Sequence, residues 1–263
     1  MKVGIIGGTG FYEAGILSEE KDVTTPTPYG PVSMTTGDYQ GREVVFLARH
    51  GARHTVPPHL VNYRANIWAL REIGVEKVIA TAAVGSLQKD LRPGEIVLID
   101  QFLDFTKSRA QTFFEGNGTG VLHVDVTNPY CPSLREEICR SAGKSQVALH
   151  NGGTYVCTEG PRYETPAEIR MFHSLGGDVV GMTSVPEVVL AREAALCYAA
   201  ITLVTNYAAG ISSRPLSHQE VVTAMNQAQG VLRRLILAAL ANVSESRPCN
   251  CSQAASELDS LNK

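Results

Sequence analysis

Thr158-Glu159-Gly160-Pro161-Arg162-Tyr163-Glu164-Thr165-Pro166-Ala167-Glu168 follows a short apolar run ending at Cys157 and opens a segment with the signals of a helix start. Thr165 stands at the N-cap position, Pro166 suits the first helical position, and Glu168 completes a T-x-x-E capping box. Gly160-Pro161 marks the turn between strand and helix. A strand feeding a helix through a short turn is the repeating unit of a layered α/β domain. Here it presents Arg162, Tyr163 and Glu164 at the mouth of the turn. A carboxylate and an aromatic ring held rigidly at such a junction suit the edge and face of a flat polar ring.

The same alternation extends in both directions. Val3 to Ile6 reads as an apolar strand before the turn Gly7-Gly8-Thr9-Gly10. Val32 to Thr36 and Glu43 to Ala48 flank Gln40-Gly41 as a hairpin. His59 to Ile73 has helical spacing and stops at Gly74. Lys77 to Val84, Glu95 to Ile99, Thr154 to Cys157, Asp178 to Val180 and Ala200 to Thr205 read as strands. Ser133 and Glu136 form a capping box for a helix ending near Gly143, and a last helix runs from the Ser217 cap to about Val243. The expected fold class is one α/β domain over residues 1–243. Residues 244–263, rich in Ser, Asn and Glu, are expected to form a loose polar tail.

The composition of the 263 residues, 44% hydrophobic and 19% charged, is that of a globular chain with a substantial core. A net charge of −3 provides no basic field for nucleic acid or an anionic membrane, so small ligands are the expected partners. No run approaches the ~18 apolar residues of a membrane span. The opening MKVGIIGGTG is already strand and turn, without leader-peptide features, and a soluble cytoplasmic protein is expected. Of the six cysteines, Cys131, Cys139, Cys157 and Cys197 are scattered inside expected elements with no metal-like spacing and read as buried free thiols. Cys249-Asn250-Cys251 lies in the tail, where a local disulfide or an intersubunit bridge is the alternative to free thiols. No metal is expected.

Several polar motifs follow apolar strands, where α/β domains gather their ligands. After the first strand, Gly7-Gly8-Thr9-Gly10 lets backbone N–H groups approach an anion, and Thr9 adds a hydroxyl. The third glycine of a dinucleotide fingerprint would fall at Glu13, whose charge repels pyrophosphate, so a single phosphate suits the turn better. Arg49-His50-Gly51-Ala52-Arg53-His54 offers a guanidinium fork and an imidazole to phosphate oxygens. A solvated basic loop is the bland alternative. Pro57 and Pro58 interrupt any helix that would align His50, His54 and His59 on a metal. In Thr81-Ala82-Ala83-Val84-Gly85-Ser86 the small side chains let the backbone approach a ligand. Thr183 can donate to phosphate and Met182 can floor a sugar, although a hydroxyl cap and a core methionine fit equally well. Asn206 ends a fully apolar strand, where an amide is costly unless it finds partners. His218, at a helix N-terminus, should be neutral and hydrogen-bonding, or else a surface histidine. No G-x-S-x-G is present and no cysteine has an activating partner, so the set fits phosphate itself as the nucleophile.

These motifs resemble the nucleoside phosphorylase superfamily, in the branch holding methylthioadenosine phosphorylase and trimeric purine nucleoside phosphorylase. The resemblance runs to about Val243 through GGTG (7–10), RHGARHT (49–55), NYRANIWAL (62–70), GSL (85–87), PGEIVLIDQFLD (93–104), TEGPRYET (158–165), GMTSVPEVVLA (181–191) and TNY (205–207). It implies a central mixed sheet flanked by helices, homotrimers or dimers of trimers, and phosphorolysis of an N-ribosidic bond with inorganic phosphate as co-substrate and no cofactor. By position Thr9, Arg49, His50, Ala82, Ala83 and Thr183 would carry phosphate, Ala82 standing where relatives have threonine. Met182 would lie under the ribose and Tyr163 beside the base. Asn206 and His50 would be the catalytic residues.

The resemblance divides at the base. Methylthioadenosine phosphorylases present two aspartates where this chain has Asn206 and Ala208, a small hydroxyl residue at Glu164, and an apolar residue at His218. At Glu164, Asn206 and His218 the chain instead resembles enzymes acting on 6-oxopurines. An ionised Glu164 can accept the N1 proton of hypoxanthine or guanine, whereas the bare N1 lone pair of adenine would face repulsion. Inosine and guanosine are therefore the expected substrates, with S-methyl-5'-thioadenosine or S-methyl-5'-thioinosine as the alternative.

Overall fold

The computed structural model describes residues 1–7, 17–51, 53, 55–116, 118–212 and 218–256, apart from the side chains of His218 and Glu220. Thr9 and the His218 side chain, both expected in the site, lie outside the described residues. Among those residues, eleven strands form one mixed sheet and five α-helices flank it.

The centre of the sheet is β5 (Val75–Ser86), which pairs in parallel with β1 (Lys2–Gly7) and with β11 (Cys197–Tyr207). Beyond β1 lie β4 (Arg42–Ala48), β3 (Val32–Tyr39) and β2 (Ser18–Thr25). On the other side β5 pairs antiparallel with β10 (Val179–Gly181), which continues to β9 (Thr154–Thr158) and β7 (Gln101–Phe105). β6 (Ile96–Leu98) and the short β8 (His150–Asn151) extend from β11.

Successive residues of the central strands face opposite layers, as the period of two requires. Val78 and Ala80 of β5 pack in a cluster with α1 (Tyr63–Glu72) and α4 (Ser184–Glu193). Ile79 between them packs in a second cluster with α2 (Pro132–Lys144) and α5 (His218–Asn242). These strands are mostly apolar on both sides because both faces are covered, and the buried Lys77 of β5 is paired with Glu137. α3 (Pro166–Ser174) is pinned separately by Ile169 and Phe172, which share a smaller cluster with Val156 and Val180.

Some local readings change. The His59 segment is a short 3-10 turn over Pro58–Leu60, and α1 begins only after Asn62, whose side chain accepts from the Ala65 amide. The Ser133–Glu136 capping box does not form. α2 starts at Pro132, and the Cys131 sulfur accepts from the Leu134 amide. The exposed strand β2, SEEKDVTT, has no apolar alternation by which to read it.

The cysteines depart most from expectation. Cys131 and Cys197, at the starts of α2 and β11, meet Cys249 and Cys251 of the tail, with all four sulfurs within 4.8 Å of one another. All six cysteines are free thiols. The thiols are free as read, but four of them, scattered along the sequence, meet in space because the chain after α5 returns to the start of β11. The same return revises the loose tail: Asn250–Gln253 forms a 3-10 turn with Cys251 buried.

Candidate functional site

The carboxyl ends of β4, β5, β9, β10 and β11 converge on a cavity of about 690 Å³. Arg49, His50, Ala82, Ala83, Thr183, Tyr163, Glu164, Met182, Asn206 and Ala208 all line it. These residues span most of the chain, and the strand ends bring them together.

At one end β4 stops at Ala48, and the Arg49 amide donates to the Gly7 carbonyl at 3.2 Å, tying the loop to the end of β1. The Arg49 guanidinium is buried and held bidentately by Glu187: Nε donates to Oε2 and Nη2 to Oε1, each at 2.7 Å. Nη1 donates to the Thr81 carbonyl at 2.8 Å. Burial alone would lower the Arg49 pKa, but the Glu187 charge and hydrogen bonds outweigh it and raise it above the ordinary value. The sequence reading took Arg49 as a planar fork of donors for phosphate oxygens and named no counter-charge for it. In the structure Glu187 balances its charge, so what Arg49 offers an anion is aimed N–H groups more than net charge. These three bonds use three of its five N–H groups.

Glu187 has no exposed surface and also accepts from the Tyr198 hydroxyl at 2.7 Å. Sequence reasoning gave neither residue a role. A carboxylate inside Pro186-Glu187-Val188-Val189-Leu190 was nevertheless a signal, since a buried charge in an apolar run requires a partner. His50 is fixed by its own loop: Nδ1 lies 2.8 Å from the Val56 carbonyl, and the Val56 amide returns a bond to the His50 carbonyl at 3.0 Å. A carbonyl only accepts, so Nδ1 carries the proton.

Between these groups and the far end of the cavity, β10 delivers Met182 and Thr183. The Thr183 amide donates to the Tyr155 hydroxyl at 3.2 Å, and its side chain makes no cap bond to α4. Gly181 allows this approach, because a Cβ there would collide with the Tyr155 hydroxyl. Tyr155 is a third supporting residue that the sequence did not single out.

At the far end the turn after β9 is built as expected from its helix start. Thr165 accepts from the Glu168 amide while the Glu168 side chain accepts from the Thr165 amide. Arg162 does not join the cavity. It turns outward and grips Glu168 with bonds of 2.8 and 2.6 Å. Tyr163 is 40% exposed at the cavity rim, and Glu164 points inward. Glu164 Oε1 accepts from the Thr158 hydroxyl at 2.7 Å. Burial pushes the Glu164 pKa up, and the Thr158 bond only partly offsets this.

Asn206 lies opposite, just after an irregularity between Val204 and Asn206 in the pairing of β11 with β5. Such a bulge re-aims the side chains that follow it. Asn206 Oδ1 accepts from the Thr205 hydroxyl at 2.8 Å, and Nδ2 donates to the Tyr207 carbonyl at 3.0 Å. One of its two amide N–H groups is thereby used. Gly85 makes room for this amide, since a Cβ there would lie 3.1 Å from Nδ2.

The phosphorylase superfamily matches residues 2–241 of the chain. The probable 6-oxopurine nucleoside phosphorylase of Moorella thermoacetica is 55% identical over 98% of this chain and 100% of its own length. The 6-oxopurine nucleoside phosphorylase of Pyrococcus furiosus is 49% identical, over 96% of this chain and 97% of its own. Among solved structures, the methylthioadenosine phosphorylase of Schistosoma mansoni in complex with adenine superposes with a TM-score of 0.92, at 33% identity, covering 100% of this chain and 98% of that one.

Proposed function

The chain belongs to the phosphorylase superfamily, and from that premise we propose that it is a purine nucleoside phosphorylase that cleaves inosine and guanosine with phosphate to free base and ribose 1-phosphate. The observation that carries this reading is the inward carboxylate of Glu164, fixed by Thr158 in the same cavity as Asn206. The 6-oxopurine names of the similar proteins from Moorella and Pyrococcus support it.

Phosphate would sit among Arg49, His50, Thr183 and the backbone at Ala82 and Ala83, with Thr9 as a further donor. Arg49 and its partners are already oriented, so little reorganisation accompanies binding. The ribose would lie on Met182. As the glycosidic bond lengthens, the sugar gains oxocarbenium character and the purine gains negative charge. The phosphate dianion stabilises the first, and a hydrogen bond from Asn206 Nδ2 to N7 stabilises the second. Phosphate then attacks C1′. Glu164 accepts a hydrogen bond from N1–H, and Tyr163 covers the ring. Ala208 leaves room beside the base where a carboxylate would favour an amino group.

The likeness to the Schistosoma enzyme supports a second reading, a methylthioadenosine or methylthioinosine phosphorylase. A panel of inosine, guanosine, adenosine, methylthioadenosine and methylthioinosine, each with and without phosphate, separates the two. Hypoxanthine should be released from inosine only when phosphate is present. Phosphate-independent release, or preference for either methylthio compound, would reject the inosine assignment. Light scattering should give the mass of a trimer or of a dimer of trimers.

The direction of the Glu164 shift adds a pH signature. Its pKa is raised by burial, so the ionised form that accepts N1–H is lost at a higher pH than for an ordinary glutamate. As pH falls, kcat/KM for inosine should decline more steeply than for adenosine, since the protonated acid can donate to the adenine N1 lone pair. The ratio of the two profiles cancels the titration of phosphate, which they share. A pH-independent ratio would remove Glu164 from recognition of the base.

A further inference from the structure

The cysteine cluster lies at the opposite end of β11 from Asn206, about 30 Å along an extended strand, and the phosphorolysis chemistry makes no use of it. Cys131 comes from the start of α2, Cys197 from the start of β11, and Cys249 and Cys251 from the segment after α5. Cys131, Cys197 and Cys251 are buried and Cys249 is half-buried. The four sulfurs lie within 4.8 Å of one another, with Cys197 and Cys249 3.4 Å apart.

Three N–H groups point at three of these sulfurs. The Leu134 amide donates to Cys131 at 3.4 Å, Arg192 Nη1 to Cys251 at 3.3 Å, and Arg247 Nε to Cys197 at 3.4 Å. Arg192 is further held by the Asp125 carbonyl. Arg247 is held by the Ala195 carbonyl, with Glu76 3.8 Å from its Nη1. Neutral thiols or disulfide sulfurs do not call for two guanidinium groups at a buried cluster. Thiolates bound to a cation do, because hydrogen bonds from surrounding groups spread the charge of the ligands.

We propose that Cys131, Cys197, Cys249 and Cys251 form a structural tetrathiolate site for a zinc ion. A ZnS4 tetrahedron with Zn–S bonds of about 2.3 Å has sulfur–sulfur edges of about 3.8 Å, so only small adjustments separate the present sulfurs from ligation. Binding forms four Zn–S bonds and releases four protons to water, and nothing is oxidised. The resulting centre carries two negative charges, which Arg192 and Arg247 balance. Closed four-sulfur coordination leaves no position for substrate, as in structural zinc sites generally. Its effect is to fasten the chain after α5 to the starts of α2 and β11.

The test uses the full chain, reduced, stripped with a chelator, desalted without oxygen and titrated with zinc. One zinc per chain should be taken up, and cobalt in its place should give the intense visible bands of tetrahedral thiolate coordination. Cys249→Ser and Cys251→Ser should each abolish uptake, whereas Cys139→Ser, outside the cluster, should retain it. Metal removal should lower Tm by about 10 °C and leave kcat/KM for the nucleoside unchanged. The site is overturned if the reduced protein takes up no stoichiometric zinc. It is equally overturned if Cys139→Ser and Cys251→Ser bind alike, or if the reloaded and stripped forms melt together.

Discussion

Glu164→Gln lowers kcat/KM for inosine by about 10²-fold or more while leaving adenosine unchanged or improved. The asymmetry comes from Thr158. Its hydroxyl donates to Glu164 Oε1, and in the glutamine variant that bond keeps the remaining carbonyl oxygen in the same place. The amide nitrogen then occupies the position of Oε2 and turns an N–H toward the ring. Against hypoxanthine two donors face each other. The loss of a charge-assisted bond, worth about 1.5–3 kcal/mol, is compounded by a stranded N–H. Against adenine the same N–H meets a lone pair. Steady-state kinetics with both nucleosides at saturating phosphate read the effect directly, and equal losses on the two would eliminate the proposed role of the carboxylate. Thr158→Val combined with Glu164→Gln should restore part of the inosine activity, because the amide is then free to flip.

Glu187→Ala should cost about 3–5 kcal/mol of stability, the usual penalty for leaving a buried charge without its partner. Arg49 and Glu187 have side chains 1% and 0% exposed, so the variant leaves a buried guanidinium without its counter-charge. Tyr198 loses its acceptor as well. For a chain of this size the change corresponds to a Tm drop on the order of 10 °C. Stability and phosphate binding can be separated by replacing the whole group with apolar residues, Arg49→Met, Glu187→Leu and Tyr198→Phe together. Most of the stability should return, since both buried charges and the Tyr198 hydroxyl are removed together and only the Thr81 carbonyl loses a donor, while phosphate-dependent turnover should stay at least about 10²-fold down. A triple variant that recovered turnover would show that Arg49 does not serve the anion. A Glu187→Ala protein that melted with the parent would show that the pair does not hold the site together.

What could be read in the sequence, and what could not, follows from the range of the interactions. The helix start at Thr165 was legible because a capping box is completed within four residues. The strand ends bearing Arg49, Ala82, Met182 and Asn206 were legible because each polar or small group closes an apolar run. The ion pair was not, because Arg49 and Glu187 are separated by most of the domain and only the sheet order makes them neighbours. The partner of Arg162 was not read either: it shares the turn with Glu164, but it sits within reach of Glu168 and takes that carboxylate. The cysteine cluster was hidden because its members belong to three elements. Spacing along the chain carries no information about a site assembled by the return of a tail.

The turn from Thr158 to Thr165 is anchored at both ends, by the pairing of β9 with β7 and by the reciprocal bonds that open α3. Glu164, the residue proposed to meet the ring, lies between those anchors and is tied to the first through the side-chain bond from Thr158. A lineage can therefore exchange the letter at Glu164, and with it the proposed preference for the base, while the backbone anchors of the turn stay as they are. Transplanting the eight residues between relatives of different substrate preference is the corresponding experiment in directed evolution. The fold treats this loop as a cartridge.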